Sequence, residues 1–428
     1  MKAALIIVDG MADRSQESLG RRTPLQAAVL PNLDRLARIS ACGHMYPVGP
    51  GICPSSDQAH WRILGYGRHP FPGRASIEAI GAGVELSPGD VVVRVTLATT
   101  MLEENNRYIQ VAPAYLPEDQ ATAIFSSLVK YKPEYLEARI HHMGGPFMVI
   151  VLSGGASAEV TDSDPLFFRL PVRPIVAFTD APGVEAEDTA SELTRFTSWA
   201  ADVLESHPVN AGRKEERMTL VNHVLIKWPS VPPSVPSFSS AWGFDSVAVA
   251  SGVFYAGLAR ALGMRHIEAG AIGVAEDLGC KLDEALGALR NGCDFAFVHT
   301  KAADEASHTG RPRKKVRALE ELDQAFELVV EQFARDPELL TVVTADHPSP
   351  SGGSEEVIHS GESVPVVMVG RNVRVDQVES FDEVSCAPGS IGLIGGDDIM
   401  PLILNLTDRA TFGTSRLSAD DIPYRPQP

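Results

Sequence analysis

Cysteine is scarce and unpatterned in this chain. Five occur in 428 residues (Cys42, Cys53, Cys280, Cys293 and Cys386). The number is odd and no Cys-x-x-Cys spacing occurs, so neither a disulfide framework nor a zinc knuckle is written into the sequence. Long apolar runs are lacking too. The N-terminal run stops at Asp9, far short of a signal peptide's combined regions, and no stretch approaches the roughly 20 residues needed to span a bilayer. Positive charge is in deficit: 37 Lys and Arg against 55 Asp and Glu leave a formal net charge of -18. Nucleic acid and anionic membrane surfaces would repel such a chain at long range. The expectation is a cytoplasmic protein with reduced thiols and with neither a membrane nor a nucleic-acid partner.

What is present is globular. Hydrophobic residues make up 44% and charged residues 21%, and the length exceeds what one core usually holds, which points to two domains or a large insertion. Short apolar runs recur at Ala3–Val8, Phe147–Leu152, Ser246–Ala250, Phe295–His299, Leu340–Thr344 and Val364–Val369. Runs of this length suit strands of a parallel sheet covered on both faces. Between them lie helical patterns. Leu25–Ile39 is one, broken near Pro31, with Asn32 as a candidate cap for the second helical piece. Val316–Phe333 is another, longer one. Strand–helix alternation gives an α/β fold with a mostly parallel sheet flanked by helices. The expected domains are a discontinuous core of residues 1–104 and 238–428, an inserted α/β or α+β cap of 105–228, and a Pro-rich linker of 229–237.

Four acid and histidine clusters follow expected strands: Asp9-Gly10, the run His299–His308 with Asp304 and His308 four apart, Asp346-His347, and His359-Ser360-Gly361-Glu362. Ligands in open α/β sheets bind beyond the carboxyl ends of the strands, so these residues can converge. Singly, each has a bland reading as a cap, a turn former or a satisfied polar residue. Together, carboxylates mixed with imidazoles suit Zn²⁺ or Mn²⁺ better than Ca²⁺, which prefers an all-oxygen shell. A nucleophile candidate lies in Pro54-Ser55-Ser56-Asp57-Gln58-Ala59-His60. Its bland reading is a helix cap. Its functional reading is a serine at a helix N-terminus, favourable to an alkoxide and to an incoming phosphate. A serine hydroxyl needs activation at neutral pH, which a bound divalent cation supplies.

This constellation resembles the archaeal-type cofactor-independent phosphoglycerate mutases of the alkaline-phosphatase superfamily. The resemblance runs from Asp9-Gly10-Met11 and Thr23-Pro24-Leu25, through Gly49-Pro50-Gly51 and Leu64-Gly65-Tyr66, to Asp398-Ile399-Met400-Pro401. It implies an alkaline-phosphatase-like core and two divalent metal ions (Mn or Zn, with Mg a further option), without an organic cofactor. One ion would be held by Asp304, His308 and His359. The other would be held by Asp9, Asp346 and His347, with Ser56 bridging as nucleophile and Lys301 joining it in catalysis. The family's Gly-Ser-Asp-Thr-Ala-His run places Ser56 at the nucleophile position, and Ser55 remains a chemical possibility. His60 matches that run's histidine, and a direct role and a packing role weigh equally.

The family's substrate-handling residues are mostly absent. Its Asp-Arg-Arg-Ala-Gly-Arg run corresponds to the uncharged Gln110–Tyr115, and the lysine of its Tyr-Lys-Gly segment to Ala256. A late Arg-Gly becomes Lys227-Trp228, and two terminal arginines become Leu393 and Gly395. The basic candidates left for the substrate are Arg74, Arg94 and Arg107, with His60 beside them. The run Arg311–Lys315 reads as a solvated helix start. The resemblance implies interconversion of 3-phosphoglycerate and 2-phosphoglycerate through a phosphoserine. The missing cations favour an alternative, a phosphohydrolase or phosphomutase acting on another phosphorylated or phosphonate metabolite. A non-catalytic binding protein ranks last, because all the expected metal and nucleophile positions are filled. The partner in each catalytic reading is a small phosphorylated metabolite.

Overall fold

The computed structural model describes residues 1–104, 106–166, 169–178, 183–352 and 358–410. The chain forms two compact units, one of Met1–Phe71 with Val235–Pro428 and one of Pro72–Ser234. In chain order the strands are β1 (Lys2–Val8), β2 (Ala41–Tyr46), β3 (Val91–Glu103), β4 (Asn106–Val111), β5 (Glu137–His142), β6 (Phe147–Ser153), β7 (His223–Ser230), β8 (Ser246–Val249), β9 (Arg265–Ile267), β10 (Phe295–Thr300), β11 (Leu339–Thr344), β12 (Val364–Val369) and β13 (Gly392–Gly395).

The first unit carries an eight-stranded sheet in the order β13-β2-β12-β11-β1-β10-β8-β9. Every residue of β10, β11 and β12 is buried. Because successive side chains point to opposite faces, such strands must be covered on both, and continuous apolar runs are what that environment demands. β1 lies between β10 and β11 and is parallel to each. The sheet is mostly parallel, with one reversal: β12 runs antiparallel to both β11 and β2. An apolar run carries no mark of direction, so the sequence alone did not show this. The reversal has a consequence for the site, because the start of β12 lies at the same edge as the ends of β11 and β1.

The second unit is an antiparallel sheet in the order β4-β3-β6-β5, with β7 also on β3, and helices Glu118–Leu128, Val184–Glu205 and Pro208–Glu215. Its core includes Val95, Leu97, Phe125, Ile150, Phe196 and Val224. Two expectations differ from this arrangement. Phe147–Ser153 is an antiparallel strand of this unit rather than part of the parallel sheet. The inserted unit also begins at Pro72, not after residue 104, because among the described residues β3 pairs only with β4, β6 and β7; Asn105 itself lies outside the described residues. The linker is shorter at its start, since β7 runs to Ser230.

The break at Pro31 is present, but Asn32 is not the cap. The helix Pro31–Arg38 starts at the proline, and Asp323 reaches in from the helix Pro312–Leu328 to accept the backbone N–H groups of Asn32 (3.0 Å) and Leu33 (2.8 Å). The orphan donors of a helix start are satisfied here by a carboxylate distant in sequence.

Candidate metal centre

Three neighbouring parallel strands and one reversed strand deliver the acid and histidine residues to one edge of the sheet. β1 ends one residue before Asp9, whose N–H donates to the Thr300 carbonyl at 2.9 Å. β10 leads into the short helix Ala302–Ser307, which carries Asp304 and ends at His308. β11 leads to Asp346 and His347, and the segment before β12 carries His359. Asp9 is followed by Gly10 at φ +62°, where a Cβ would stand 2.5 Å from Ser349 Oγ and 2.9 Å from Asp304 Cα. Only glycine fits the close approach of these loops.

Two groups of ligand-type atoms converge: Asp304 with His308 and His359, and Asp9 with Asp304 and His347, each within 4.8 Å of one another. Asp304 thus belongs to both groups, which its assignment to a single ion did not anticipate. Asp346 stands beside the second group, its Oδ2 3.2 Å from His347 Nε2 and its Oδ1 accepting the Gly10 N–H at 3.1 Å. His347 Nε2 is also 3.3 Å from Asp9 Oδ1. The rings of His347 and His359 stack at 3.7 Å. His359 Nδ1 donates to the Pro54 carbonyl at 2.9 Å, which leaves its Nε2 facing Asp304 at 3.7 Å.

The electrostatics call for a cation. Asp9 Oδ1 and Asp346 Oδ2 are buried with no hydrogen-bond partner among the described residues, an expensive state for a carboxylate oxygen unless something positive meets it. Burial, with repulsion from Asp346 and Asp304, pushes the Asp9 carboxyl well above the usual carboxylate range. Burial acts against ionisation of Asp304 as well, but the His308 and His359 imidazoles outweigh it and hold that carboxyl low. Burial pushes His347 down to about 4, so its ring is neutral and ligand-competent at neutral pH. This donor set fits a divalent ion of the Mn or Zn kind.

Ser56 is the first residue of the helix Ser56–Ile63, and its Oγ is 2.9 Å from His347 Nε2. Ser55 holds the cap position but makes no side-chain cap bond, so the bland cap reading is not what its hydroxyl does. His60 is fully buried behind Ser56: Nδ1 donates to the Ser56 carbonyl at 2.6 Å, and the ring packs edge-on against Tyr255, Phe297 and His299. A substrate-binding role does not suit that position. Lys301, half exposed, lies 4.0 Å from Asp304 Oδ2.

The three arginines belong to the second unit. Arg94 gives two bonds to Glu78, at 2.8 and 2.7 Å, and its guanidinium lies over the rings of Phe147 and Trp228. Arg74 bonds the same carboxylate at 2.8 Å. Arg107, on β4, reaches Thr100 Oγ1 at 3.4 Å and lines a cavity of about 510 Å³ with His207, Asn210, Lys214 and Asn222.

Sequence reasoning gave no supporting role to three groups, although His299 stood in the second cluster and Lys315 in the run Arg311–Lys315. His299 Nε2 sits 3.1 Å from Asp9 Oδ2 and 2.7 Å from Tyr255 Oη. Ser349 bonds both Asp304 and His347. Lys315, read as part of a solvated helix start, is fully buried and gives its ammonium hydrogens to the carbonyls of Ala12 and Ser349 (2.8 Å each) and to Asp13 (3.2 Å). The helix does start at Pro312 as expected. The available signal for Lys315 was its place among the apolar positions of that helix.

Among the described residues, no helix is long and apolar enough to cross a membrane. The family profile described as "Metalloenzyme superfamily" matches residues 1–406. The 2,3-bisphosphoglycerate-independent phosphoglycerate mutase 2 of Methanocaldococcus jannaschii is 35% identical over 99% of this chain and 97% of its own length. The 2,3-bisphosphoglycerate-independent phosphoglycerate mutase of Methanopyrus kandleri is 36% identical over 95% of this chain and 97% of its own. Among solved structures, a Pyrococcus horikoshii protein aligns with TM-score 0.77 and 30% identity, covering 96% of this chain and 99% of that one. The cofactor-independent phosphoglycerate mutase of Thermoplasma acidophilum aligns with TM-score 0.64 and 28% identity, covering 95% and 100%.

Proposed function

For a chain that belongs to the archaeal-type 2,3-bisphosphoglycerate-independent phosphoglycerate mutase family, within the Metalloenzyme superfamily, we propose that Ser56 accepts a phosphoryl group from a small phosphorylated metabolite and returns it to another position of the same molecule. Members of this family are metal-dependent phosphomutases, and this chain is one of them. The observation that carries the reading is the Ser56 hydroxyl 2.9 Å from His347 Nε2, where the acidic and imidazole groups meet.

Asp304, His308 and His359 would hold one divalent ion, and Asp9, Asp346 and His347 a second. When bound, such ions lower the pKa of the serine hydroxyl and offset phosphate charge. The chain's own contributions come from position. Ser56 at a helix start presents its oxygen where the helix dipole favours an anion. Its Oγ gives up its proton and bonds to phosphorus while the substrate's P–O bond breaks, and the departing alkoxide ends with the proton that the serine released. The second transfer reverses these bonds at the neighbouring hydroxyl. Lys301, half exposed, adds positive charge 4.0 Å from the buried Asp304 Oδ2. The relatives' names point to phosphoglycerate as substrate, and so to interconversion of its 3- and 2-isomers in cytoplasmic glycolysis.

A second reading, hydrolysis or isomerisation of a different phosphorylated or phosphonate metabolite, is favoured by one observation. Arg74 and Arg94 share the Glu78 carboxylate, so the pair offers a net charge of about +1 to an anion. A panel of phosphorylated metabolites assayed with Mn²⁺ or Zn²⁺, following isomer formation and phosphate release together, separates the two. Turnover of neither kind would sink both readings.

A further inference from the structure

Ser349 lies outside the four acid and histidine clusters and is fully buried. Its Oγ is 2.7 Å from Asp304 Oδ1 and 3.2 Å from His347 Nδ1. A hydroxyl has one hydrogen to give. An ionised carboxylate only accepts, so that hydrogen goes to Asp304, and the bond to the ring must run the other way, from His347 Nδ1–H to the serine oxygen. Nε2 then keeps its lone pair, and it is Nε2 that faces Ser56 (2.9 Å), Asp346 (3.2 Å) and Asp9 (3.3 Å).

Ser349 is itself held. Its N–H donates to the Ala12 carbonyl at 3.0 Å, and its carbonyl accepts from Lys315 Nζ at 2.8 Å. Lys315 also bonds the Ala12 carbonyl and Asp13, so its three hydrogens have three acceptors. The loop after β1 and the loop after β11 are thereby fastened to each other and to one buried ammonium. Gly10 leaves the room for this, since a Cβ there would collide with Ser349 Oγ.

We propose that Ser349 is a positioning residue that sets the ring tautomer of His347 and the orientation of the Asp304 carboxylate in one stroke, linking the two groups of metal-ligand atoms. The inference rests on the reading of Asp304 and His347 as ligands. Partners that orient a ligating histidine raise metal affinity by holding the ligand atom bare and aimed, and their loss costs roughly 10–100-fold.

The test uses the full chain stripped with a chelator and titrated with Co²⁺, read by calorimetry and by visible absorption, with melting curves taken without metal. Ser349→Ala is expected to weaken Co²⁺ binding by about 10–100-fold and to alter the absorption envelope while its melting curve stays close to that of the wild type. Ser349→Thr keeps the hydroxyl and is expected to recover affinity and spectrum. An isotherm and spectrum unchanged in Ser349→Ala would overturn the proposal, and so would a folded Ser349→Thr that recovers neither. Failure of the underlying reading looks different: the wild-type chain would bind no Co²⁺, or Asp304→Ala would bind it unchanged.

Discussion

Ser56 Oγ and His347 Nε2, 291 positions apart in sequence, lie 2.9 Å from each other. Ser56 enters from the helix Ser56–Ile63 and His347 from the loop after β11. In the proposed reaction, Ser56 takes up the phosphoryl group at this contact. Ser56→Ala should therefore lose at least ~1000-fold in turnover, the scale seen when a nucleophile is removed. The fold and most of the metal affinity should remain, because the other ligands are untouched. Phosphate trapped during turnover should map to the peptide spanning Pro54–His60. An active Ser56→Ala beside a dead Ser55→Ala would move the nucleophile by one residue.

Gly10→Ala should be among the costliest single changes near the site. Alanine at φ +62° carries about 1–2 kcal/mol of backbone strain, and the new Cβ meets Ser349 Oγ and the Asp304 backbone. Gly20→Ala is the control, since Gly20 has φ +68° with nothing within 4 Å of a Cβ. Both variants should melt earlier than the wild type. Gly10→Ala should lose clearly more, and only it should bind metal weakly. Equal losses in the two would mean that the close packing around Gly10 has no energetic weight.

A pH-dependent contribution to stability should come from Glu383. Burial pushes its carboxyl up to about 7, against favourable bonds from Thr23 Oγ1 (2.6 Å) and the Asp13 N–H (2.9 Å) and the charge of Lys315. A raised folded-state value means the native chain holds a proton that the unfolded chain has released. The associated stability is fully present below the unfolded value near 4.5 and is lost as pH rises to about 7, at about 1.4 kcal/mol for each pH step of one across that window. Denaturation of the metal-free chain at several pH values should show this slope, and Glu383→Gln should flatten it. A slope identical in the variant would assign it to other groups.

The convergence of the strand-end acids and histidines was legible, while strand direction and strand pairing were not. Asp9, Asp304, His308, Asp346, His347 and His359 each follow or precede an apolar run, and strand ends in an α/β sheet meet at one edge, so their convergence could be read from pattern alone. The direction of β12 could not, since Val364–Val369 reads the same in either sense. β3 fell in the wrong unit because the boundary was drawn after residue 104, and only its pairing with β6 and β7 decides. Lys315 was read as solvated because its acceptors, Ala12, Asp13 and Ser349, are contributed from elsewhere in the chain. The Arg74–Glu78 pair, by contrast, has helical i,i+4 spacing and could have been noticed.

Substrate retention is where this chain should depart from its relatives. A mutase must keep the dephosphorylated glycerate bound while the phosphoryl group rests on Ser56, and arginine contacts to its carboxylate, each worth about 1.5–3 kcal/mol, serve that purpose. Gln110–Tyr115 offers no charge, and Arg94 is already committed to Glu78 through two bonds and covered by two aromatic rings. Glycerate should therefore escape in a substantial fraction of turnovers, leaving water to take the phosphoryl group. With 3-phosphoglycerate as substrate, inorganic phosphate should accumulate at a rate comparable to that of the 2-isomer. Arginines placed at Val111 and Tyr115, which are 40% and 70% exposed, should shift the ratio toward isomer. Ala256→Lys is a poorer choice despite the family's lysine there, because Ala256 is only 6% exposed in its helix and a lysine would have to bury its charge. Isomer formation with phosphate release below about one turnover in a hundred would show that other residues hold the glycerate, and the uncharged stretch would then have no bearing on the outcome.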